Sequence, residues 1–158
     1  IKFSIESECP GMNIWFDDTK MQRILNNIYS NAFKFTPDGG LISTIVATEK
    51  KDEKIFVRIE ISDTGCGISE KDLNVIFDRF YQSEPIPGVT GSGIGLHMVK
   101  EYVSLHNGKI EVHSKIGVGT TFLIYIPSDL KGDDSESKLR LCLPMWKKRW
   151  YIRTGKLF

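Results

Sequence analysis

The sequence predicts an α+β fold, a two-layer sandwich in which helices cover one face of a mixed, largely antiparallel sheet. Two observations support this fold class. Strand-like segments come in two hairpin pairs, and segments with helical periodicity precede each pair. Strands grouped in this way favour a sheet whose helices pack on one side. The 158 residues, 41% of them hydrophobic, are enough for one domain with its own core.

The predicted helices share apolar residues three or four positions apart, and they end at residues that interrupt helices. They are a first helix capped by Asp17 or Asp18 and ended by Thr36-Pro37, a second from Glu70 to Tyr81, and a third from near Gly93 to Asn107-Gly108. Each therefore has one face suited to the core.

The predicted strands are short apolar or alternating runs between turn residues. They are Ile1 to Ile5, Leu41 to Thr48 and Ile55 to Ser62 joined by a charged six-residue loop, and Lys109 to Ser114 with Thr120 to Ile126. The polar segment from Gln82 to Thr90 contains two prolines and predicts a loop. Because the first residues already alternate as a strand does, we expect the chain to begin inside a larger protein.

Charge divides the chain into two parts. All 20 acidic residues lie at or before Glu136, and seven of the 21 basic residues follow Ser137, so the preceding body has 14 basic and 20 acidic residues and a net charge of −6. An acidic body argues against a nucleic-acid-binding surface. We therefore interpret the basic segment from Lys138 to Phe158 as an appendage without assigned function. The extent of the resemblance described below sets the domain at residues 1 to 128 and a linker or appended tail at 129 to 158.

Composition excludes other classes. No apolar run approaches the ~20 residues that a membrane-spanning helix needs, so this part of the protein is not expected to cross a membrane. The three cysteines have no Cys-x-x-Cys spacing, which disfavours a zinc site or a disulfide framework and favours a reducing cytosol.

Asn27, Asn31 and Lys34 follow one polar stripe of the first predicted helix. An amide oxygen can bind magnesium, which takes only one or two protein ligands when it holds a nucleotide, and an ammonium can neutralise phosphate. A solvated helix face would show the same three residues. The stripe alone leaves both interpretations open.

Two glycine-containing segments follow. Asp63 ends a strand and enters Thr-Gly-Cys-Gly67, where its carboxylate could accept a hydrogen bond from the exocyclic amine of adenine, although Asp-Thr-Gly is also an ordinary turn. Gly91-Ser-Gly-Ile-Gly95 is neither a Rossmann nor a P-loop pattern. Its backbone amides could hold phosphate at a helix start, or it could simply begin a helix after a loop.

Five motifs in this order are similar to those of the catalytic, ATP-binding domain of bacterial sensor histidine kinases, in the superfamily of gyrase, Hsp90, histidine kinases and MutL. They are Leu25 to Pro37 (the N box), Asp63 to Ile68 (first glycine box), Ile76 to Tyr81 (phenylalanine box), Gly91 to Leu96 (second glycine box) and Gly117 to Phe122. The resemblance covers about residues 1 to 128 and implies a Bergerat-type fold, with ATP and Mg²⁺ as cofactors.

The resemblance also implies roles for individual residues. Asn31 would bind magnesium with help from Asn27, Lys34 would assist at the phosphates, Asp63 would read adenine, and Arg79 would reach the terminal phosphate. The remaining implied nucleotide contacts are Phe35, Gly65, Gly67, Ile68, Gly91, Gly93, Gly95, Leu96 and Thr121, with Phe77 and Phe80 anchoring a lid over residues 81 to 92. Thr121 in particular would support the adenine end.

Position 27 separates two kinds of relative. Gyrase-like and Hsp90-like members have a glutamate there that can act as general base toward water, whereas Asn27 cannot accept a proton at neutral pH. We therefore expect a kinase that transfers the γ-phosphoryl group to a histidine on a separate dimeric helical domain, in two-component signalling. The alternatives are a catalytically silent nucleotide-binding adaptor and a gyrase-type ATPase.

The resemblance implies further partners and a location. The phosphoryl group would pass to the receiver domain of a response regulator, and the domain would lie in the cytoplasmic part of a membrane-anchored bacterial sensor. His97, His106 and His113 lack the His-Glu or His-Asp pair of a phosphoacceptor box. The isolated chain is therefore expected to bind Mg-ATP without phosphorylating itself.

Overall fold

The computed structural model describes residues 1–8, 16–82, 92–128 and 150–151. Its strands are β1 (Lys2–Ser7), β2 (Leu41–Lys51), β3 (Lys54–Asp63), β4 (Lys109–Lys115), β5 (Gly119–Pro127) and β6 (Trp150–Tyr151), and its helices are α1 (Asp18–Phe35), α2 (Glu70–Leu73) and α3 (Gly95–Leu105). The strands form one sheet in the order β4-β5-β3-β2-β1-β6.

The sheet is mixed and largely antiparallel. β1 runs parallel to β2 from the pair Lys2 and Leu41 onward, and the other neighbouring strands are antiparallel. Helices α1 and α3 pack on one face. The predicted α+β two-layer fold is confirmed.

The core lies between the helices and that face of the sheet. Every second residue of β3 and β5 points into it, as expected for strands with one covered face. The buried apolar residues include Met21, Ile24 and Ile28 of α1, Val99 and Val103 of α3, Val57, Ile59 and Ile61 of β3, and Phe122, Ile124 and Ile126 of β5. The opposite face carries more polar residues.

The ends of α1 follow its sequence signals. The Asp17 carboxylate accepts the backbone N–H of Lys20 at 2.9 Å, and Thr36 leaves the helix in an extended conformation. Proline at position 37 favours that conformation in the residue before it. The helix therefore ends where the sequence predicts, one residue before the turn that leads into β2.

The first hairpin is longer than predicted. The charged segment expected to be a six-residue loop continues both strands up to the pair Lys51 and Lys54, so only Asp52 and Glu53 form the turn. Their φ angles are 47° and 63°. Two left-handed residues match the twist of the adjoining strands, and they let the ladder continue through residues that face solvent.

The predicted helix from Glu70 to Tyr81 is mostly wrong. Only Glu70–Leu73 is helical, and the segment continues as successive turns up to Phe80. The Phe80 N–H bonds to the carbonyl of Gly93 at 2.9 Å, and φ at Phe80 is 67°. The segment therefore ends in a left-handed residue bonded to Gly93, and not in the helix that the apolar spacing favours.

The third helix begins at Gly95, two residues later than predicted, and ends close to the predicted residues. Asn107 has a φ of 50°, and the Gly108 N–H bonds to the carbonyl of Val103 at 3.0 Å. This arrangement caps the end of the helix. Among the described residues, no helix is long and apolar enough to span a membrane.

Candidate functional site

Asp63 is the last residue of β3, at the end of the sheet where α1 also ends. Its carboxylate accepts the Gly65 N–H at 2.8 Å and also the backbone N–H of Thr120. The side chain is half-buried. Burial raises the pKa of Asp63 from its ordinary 3.8, and the two N–H bonds oppose that rise. The site thus contains a partly desolvated acceptor held in a fixed orientation.

The loop from Asp63 to Ile68 is held on two sides by backbone hydrogen bonds. On one side the Cys66 N–H reaches the carbonyl of Phe35 at the end of α1, at 3.3 Å. On the other side the Gly117 N–H bonds to the Cys66 carbonyl at 2.8 Å. The first glycine box is therefore fixed between α1 and the turn that joins β4 to β5.

Two glycines make this packing possible. A Cβ on Gly65 would lie 2.8 Å from the Phe35 carbonyl oxygen. Gly67 has a φ of +73°, and a Cβ there would overlap the carbonyl of Lys115. Both positions thus need a residue without a side chain, for contact with neighbouring backbone.

The structure does not bring Thr121 to the adenine end of the site. Side chains alternate along β5, so Thr121 projects from the open face of the sheet, where its hydroxyl bonds to Ser62 at 2.8 Å. Thr120 is paired with Asp63 across the strands and projects from the same side as Asp63. The structure therefore places the Thr121 hydroxyl on the open face and the Thr120 side chain on the face that carries Asp63.

The polar stripe of α1 meets the start of α3. The Asn27 amide donates to the Arg23 carbonyl at 2.8 Å, and a Cβ on Gly95 would lie 2.5 Å from Asn27 Oδ1. Gly95 thus allows the two helices to approach at Asn27. Asn31 lies one turn further along α1, and the Lys34 ammonium lies 4.9 Å from the centre of the Phe35 ring.

The two rings of the phenylalanine box, Phe77 and Phe80, have different surroundings. Phe77 packs against the core, and its carbonyl contacts His97 Nδ1 at 3.2 Å. The Phe80 side chain is 61% exposed, with the Arg79 guanidinium 4.8 Å from its ring centre. It is the Phe80 backbone, through Gly93, that joins this segment to the start of α3.

Other predicted residues also line this region. Ile68 and Leu96 are partly buried against the core. Gly91 and most of the predicted lid, residues 83 to 91, lie outside the described residues.

The amide oxygens suit a metal bound together with a nucleotide. The part of the chain that the structure describes has no group of three His, Cys, Asp or Glu side chains placed to hold an ion. Asn27 and Asn31 supply neutral oxygen donors, and magnesium can complete its six ligands from phosphates and water. The two amides therefore fit Mg²⁺ whose other ligands come from phosphates and water.

Comparison with known proteins identifies the family. A family model described as "Histidine kinase-, DNA gyrase B-, and HSP90-like ATPase" matches residues 16–130. The chain belongs to this family. Sequence relatives of the histidine kinase branch include histidine kinase P4 of Formosa agariphila, 36% identical over 130 residues that make up 79% of this chain and 9% of the relative.

Sensor histidine kinase WalK of Bacillus subtilis is 35% identical over 120 residues, 75% of this chain and 19% of WalK. Among solved structures, the mycobacterial sensor histidine kinase MprB matches with a TM-score of 0.67 and 28% identity over 80% of this chain and 82% of that one. The histidine kinase resemblance drawn from the motifs is confirmed. The chain spans less than a fifth of either curated relative.

The contacts of three residues in this histidine kinase domain were not predicted from the sequence, although His106 was expected to be structural rather than reactive. Thr120 was passed over for its neighbour, although strand alternation from Phe122 would have placed it on the core side. Ser114 bonds to Ile68 and to Thr120, and His106 bonds both to the Asp17 N–H at 3.0 Å and to the Tyr102 carbonyl at 2.7 Å. The Ser114–Ile68 and His106–Asp17 bonds have no local sequence signal, because their partners lie 46 and 89 residues away in the chain.

Proposed function

We propose that this domain binds Mg-ATP and transfers the γ-phosphoryl group to a histidine on a separate helical domain. The observation that carries the proposal is the setting of Asp63, a half-buried acceptor at the end of β3 whose loop is fixed by backbone hydrogen bonds. Such an acceptor suits the exocyclic amine of adenine. The base then lies near the end of α1, with the polar stripe available to the phosphates.

The phosphate end is supplied by α1 and the start of α3. Asn27 and Asn31 offer amide oxygens, and Lys34 offers a positive charge at the last turn of α1. Bound Mg²⁺ would neutralise part of the triphosphate charge and fix its geometry. Arg79, exposed beside Phe80, is the residue we assign to the terminal phosphate.

The residue at position 27 favours phosphoryl transfer over hydrolysis. The Asn27 amide donates to the Arg23 carbonyl, and a carboxamide has no basic site to activate water. Transfer to a side chain needs mainly alignment and charge stabilisation. We therefore expect slow ATP hydrolysis by the isolated domain.

The acceptor histidine comes from outside this domain. Both ring nitrogens of His106 are bonded to backbone groups, and His97 Nδ1 contacts the Phe77 carbonyl. His113 lies on β4, with its side chain on the open face of the sheet. The partners are then a dimeric helical histidine domain and, after it, the receiver domain of a response regulator, with this domain on the cytoplasmic side of a membrane-anchored sensor.

The proposal is tested first by titrating the chain with Mg-AMP-PNP in a calorimeter. We expect Asp63→Asn to weaken binding by roughly 10- to 100-fold, because one charge-assisted hydrogen bond contributes about 1.5–3 kcal/mol. Asp38→Asn, an exposed turn carboxylate, is the matched control and should bind as the parent does. Equal binding by the parent and Asp63→Asn would contradict adenine recognition by Asp63.

Transfer is tested by adding a dimeric helical histidine domain and ATP labelled at the γ-phosphate. Acid-labile label should appear on that domain, and none on this chain incubated alone. Asn31→Ala should reduce both the label and the effect of Mg²⁺ on nucleotide affinity, whereas Asn26→Ala, an exposed amide of the same helix, should change neither. Nucleotide binding without transfer would identify a silent adaptor instead.

A further inference from the structure

The Ser114 hydroxyl joins three segments at the base end of the site. Its oxygen accepts the Ile68 N–H at 2.8 Å, lies 2.8 Å from the carbonyl oxygen of Gly119, and lies 2.9 Å from Thr120 Oγ1. Ser114 thus connects the end of the first glycine box to the β4–β5 hairpin and to the residue paired with Asp63.

The hydrogen-bonding capacity of this hydroxyl fixes the direction of every bond. A serine hydroxyl has one proton to donate and two lone pairs to accept with. The proton goes to the Gly119 carbonyl, because a carbonyl can only accept. One lone pair takes the Ile68 N–H. The contact with Thr120 then uses the second lone pair, so Thr120 is the donor.

Because the Thr120 hydroxyl donates its proton to Ser114, it can only accept hydrogen bonds from a ligand in the site. Thr120 is buried and directly opposite Asp63, and directly opposed side chains have Cβ atoms about 4.5–5.5 Å apart. The Asp63 carboxylate already accepts two N–H groups and offers further lone pairs. A base, or a water seated between the base and Asp63, therefore meets two acceptors here.

We propose that Ser114 is a positioning residue that fixes Thr120 as a hydrogen-bond acceptor beside Asp63, and that this fixed orientation increases the preference of the site for 6-amino over 6-oxo purine nucleotides. The inference deepens the proposed function and rests on adenine binding at Asp63. An amino group donates to both acceptors. A 6-oxo group places a third acceptor against them and leaves buried lone pairs without a donor, which is unfavourable.

The test compares Mg-ATP with Mg-ITP, which carries a 6-oxo group and lacks the 2-amine of guanine. In Ser114→Ala the Thr120 proton is free to turn toward the site. We expect the ratio of ATP affinity to ITP affinity, measured by calorimetry, to fall about tenfold from that of the parent. A change of this size corresponds to the loss of one hydrogen bond that distinguishes the two bases. Ser114→Thr retains the hydroxyl and should restore the ratio.

Ser62→Ala is the matched control, because it removes the hydroxyl pair that the next β5 residue, Thr121, makes with β3 on the open face of the sheet. It should leave the ratio unchanged. Thr120→Val is a second variant that keeps the bonds of Ser114 to Ile68 and Gly119 and should also lower the ratio. Melting temperatures of all variants identify loss of fold.

The possible outcomes distinguish failure of this inference from failure of the proposed function on which it rests. A parent chain that binds ATP, with the same ATP:ITP ratio in Ser114→Ala and Thr120→Val, would overturn the inference and leave the proposed function in place. A parent chain that binds neither nucleotide would overturn both. A ratio that falls in both variants and returns in Ser114→Thr supports it.

Discussion

The two ends of the candidate site are built in different ways. At the base end, backbone hydrogen bonds fix the loop from Asp63 to Ile68 against the end of α1 and against the β4–β5 turn. At the phosphate end, the residues are side chains of α1, partly exposed, and an exposed pair at Arg79 and Phe80. The base end is assembled before a ligand arrives, and the phosphate end presents groups that a charged ligand can order.

This difference agrees with what we propose that each end recognises. Reading an amine requires an acceptor in a fixed orientation, and sheet backbone provides that rigidity. Holding a triphosphate requires charge and neutral oxygen donors, which long side chains and a metal supply with less demand on backbone position. The comparison predicts that substitutions which disturb the backbone packing of the Asp63–Ile68 loop damage fold and binding together, whereas substitutions in the helix layer change stability without changing the base preference.

The largest expected effect is that of Gly67→Ala. The new Cβ overlaps the Lys115 carbonyl, and φ of +73° disfavours a side chain at this position. We expect a loss of about 3 kcal/mol in the free energy of unfolding, measured in urea, because strain and overlap add. Nucleotide binding should fall with it.

Gly117→Ala is the control for that prediction. Gly117 has a similar φ of +74°, but no atom lies within 4 Å of an added Cβ. Its cost should be about 1 kcal/mol, the contribution of conformation alone. Equal losses in the two variants would show that the contact between the glycine box and the hairpin adds nothing to stability.

A smaller effect is expected in the helix layer, from His106→Ala. Buried His106 accepts the Asp17 N–H with Nε2, so Nδ1 carries the proton and donates to the Tyr102 carbonyl. The ring thereby joins the end of α3 to the N-cap residue of α1. Its removal leaves two backbone groups unsatisfied and should cost about 2 kcal/mol in unfolding free energy.

The matched variant is His113→Ala on β4, where the imidazole faces solvent and about 0.5 kcal/mol or less is expected. The ATP:ITP affinity ratio should be the same in both variants, because neither touches the base end. A changed ratio in His106→Ala would contradict the separation between the helix layer and the base end.

Sequence patterns predicted most of the fold because its determinants are local. The Asp17 cap, the break at Pro37 and the alternation of β5 each act within a few residues, and all are confirmed. The helix expected over residues 70 to 81 was wrong: turns replace it after Leu73, and Phe80 bonds to Gly93, a contact that local spacing cannot reveal. The long β2–β3 hairpin was missed because its extension is charged and exposed.

Prediction of the site residues from the sequence has the same limit, because it uses only local patterns. Motifs located Asp63 and the asparagines of α1, since each is marked by its own residue type. They did not distinguish Thr120 from Thr121, because both are threonines and only the pleat of β5 decides which one faces Asp63. Ser114 was not predicted because its role depends on partners 46 residues away at Ile68 and six residues away at Thr120.

The smallest expected effect concerns the stability of Asp63→Asn, and it has the opposite sign to the effect on binding. Burial raises the pKa of Asp63 above 3.8, so the folded state binds its proton more tightly than the unfolded state does. Stability from this group is present at low pH and is lost as the pH rises through the folded-state pKa. At neutral pH the ionised carboxylate therefore lowers the free energy of unfolding.

Asparagine keeps an oxygen for the Gly65 N–H and has no charge to desolvate. The melting temperature of Asp63→Asn at pH 7 should therefore exceed that of the parent, and the difference should shrink as the pH falls toward 3.8. Thermal melts across this pH range, with Asp38→Asn as the exposed control, measure it. A variant less stable than the parent at pH 7 would show that the charged hydrogen bonds of Asp63 outweigh its desolvation, and that the base end gains rather than loses stability by carrying its binding group.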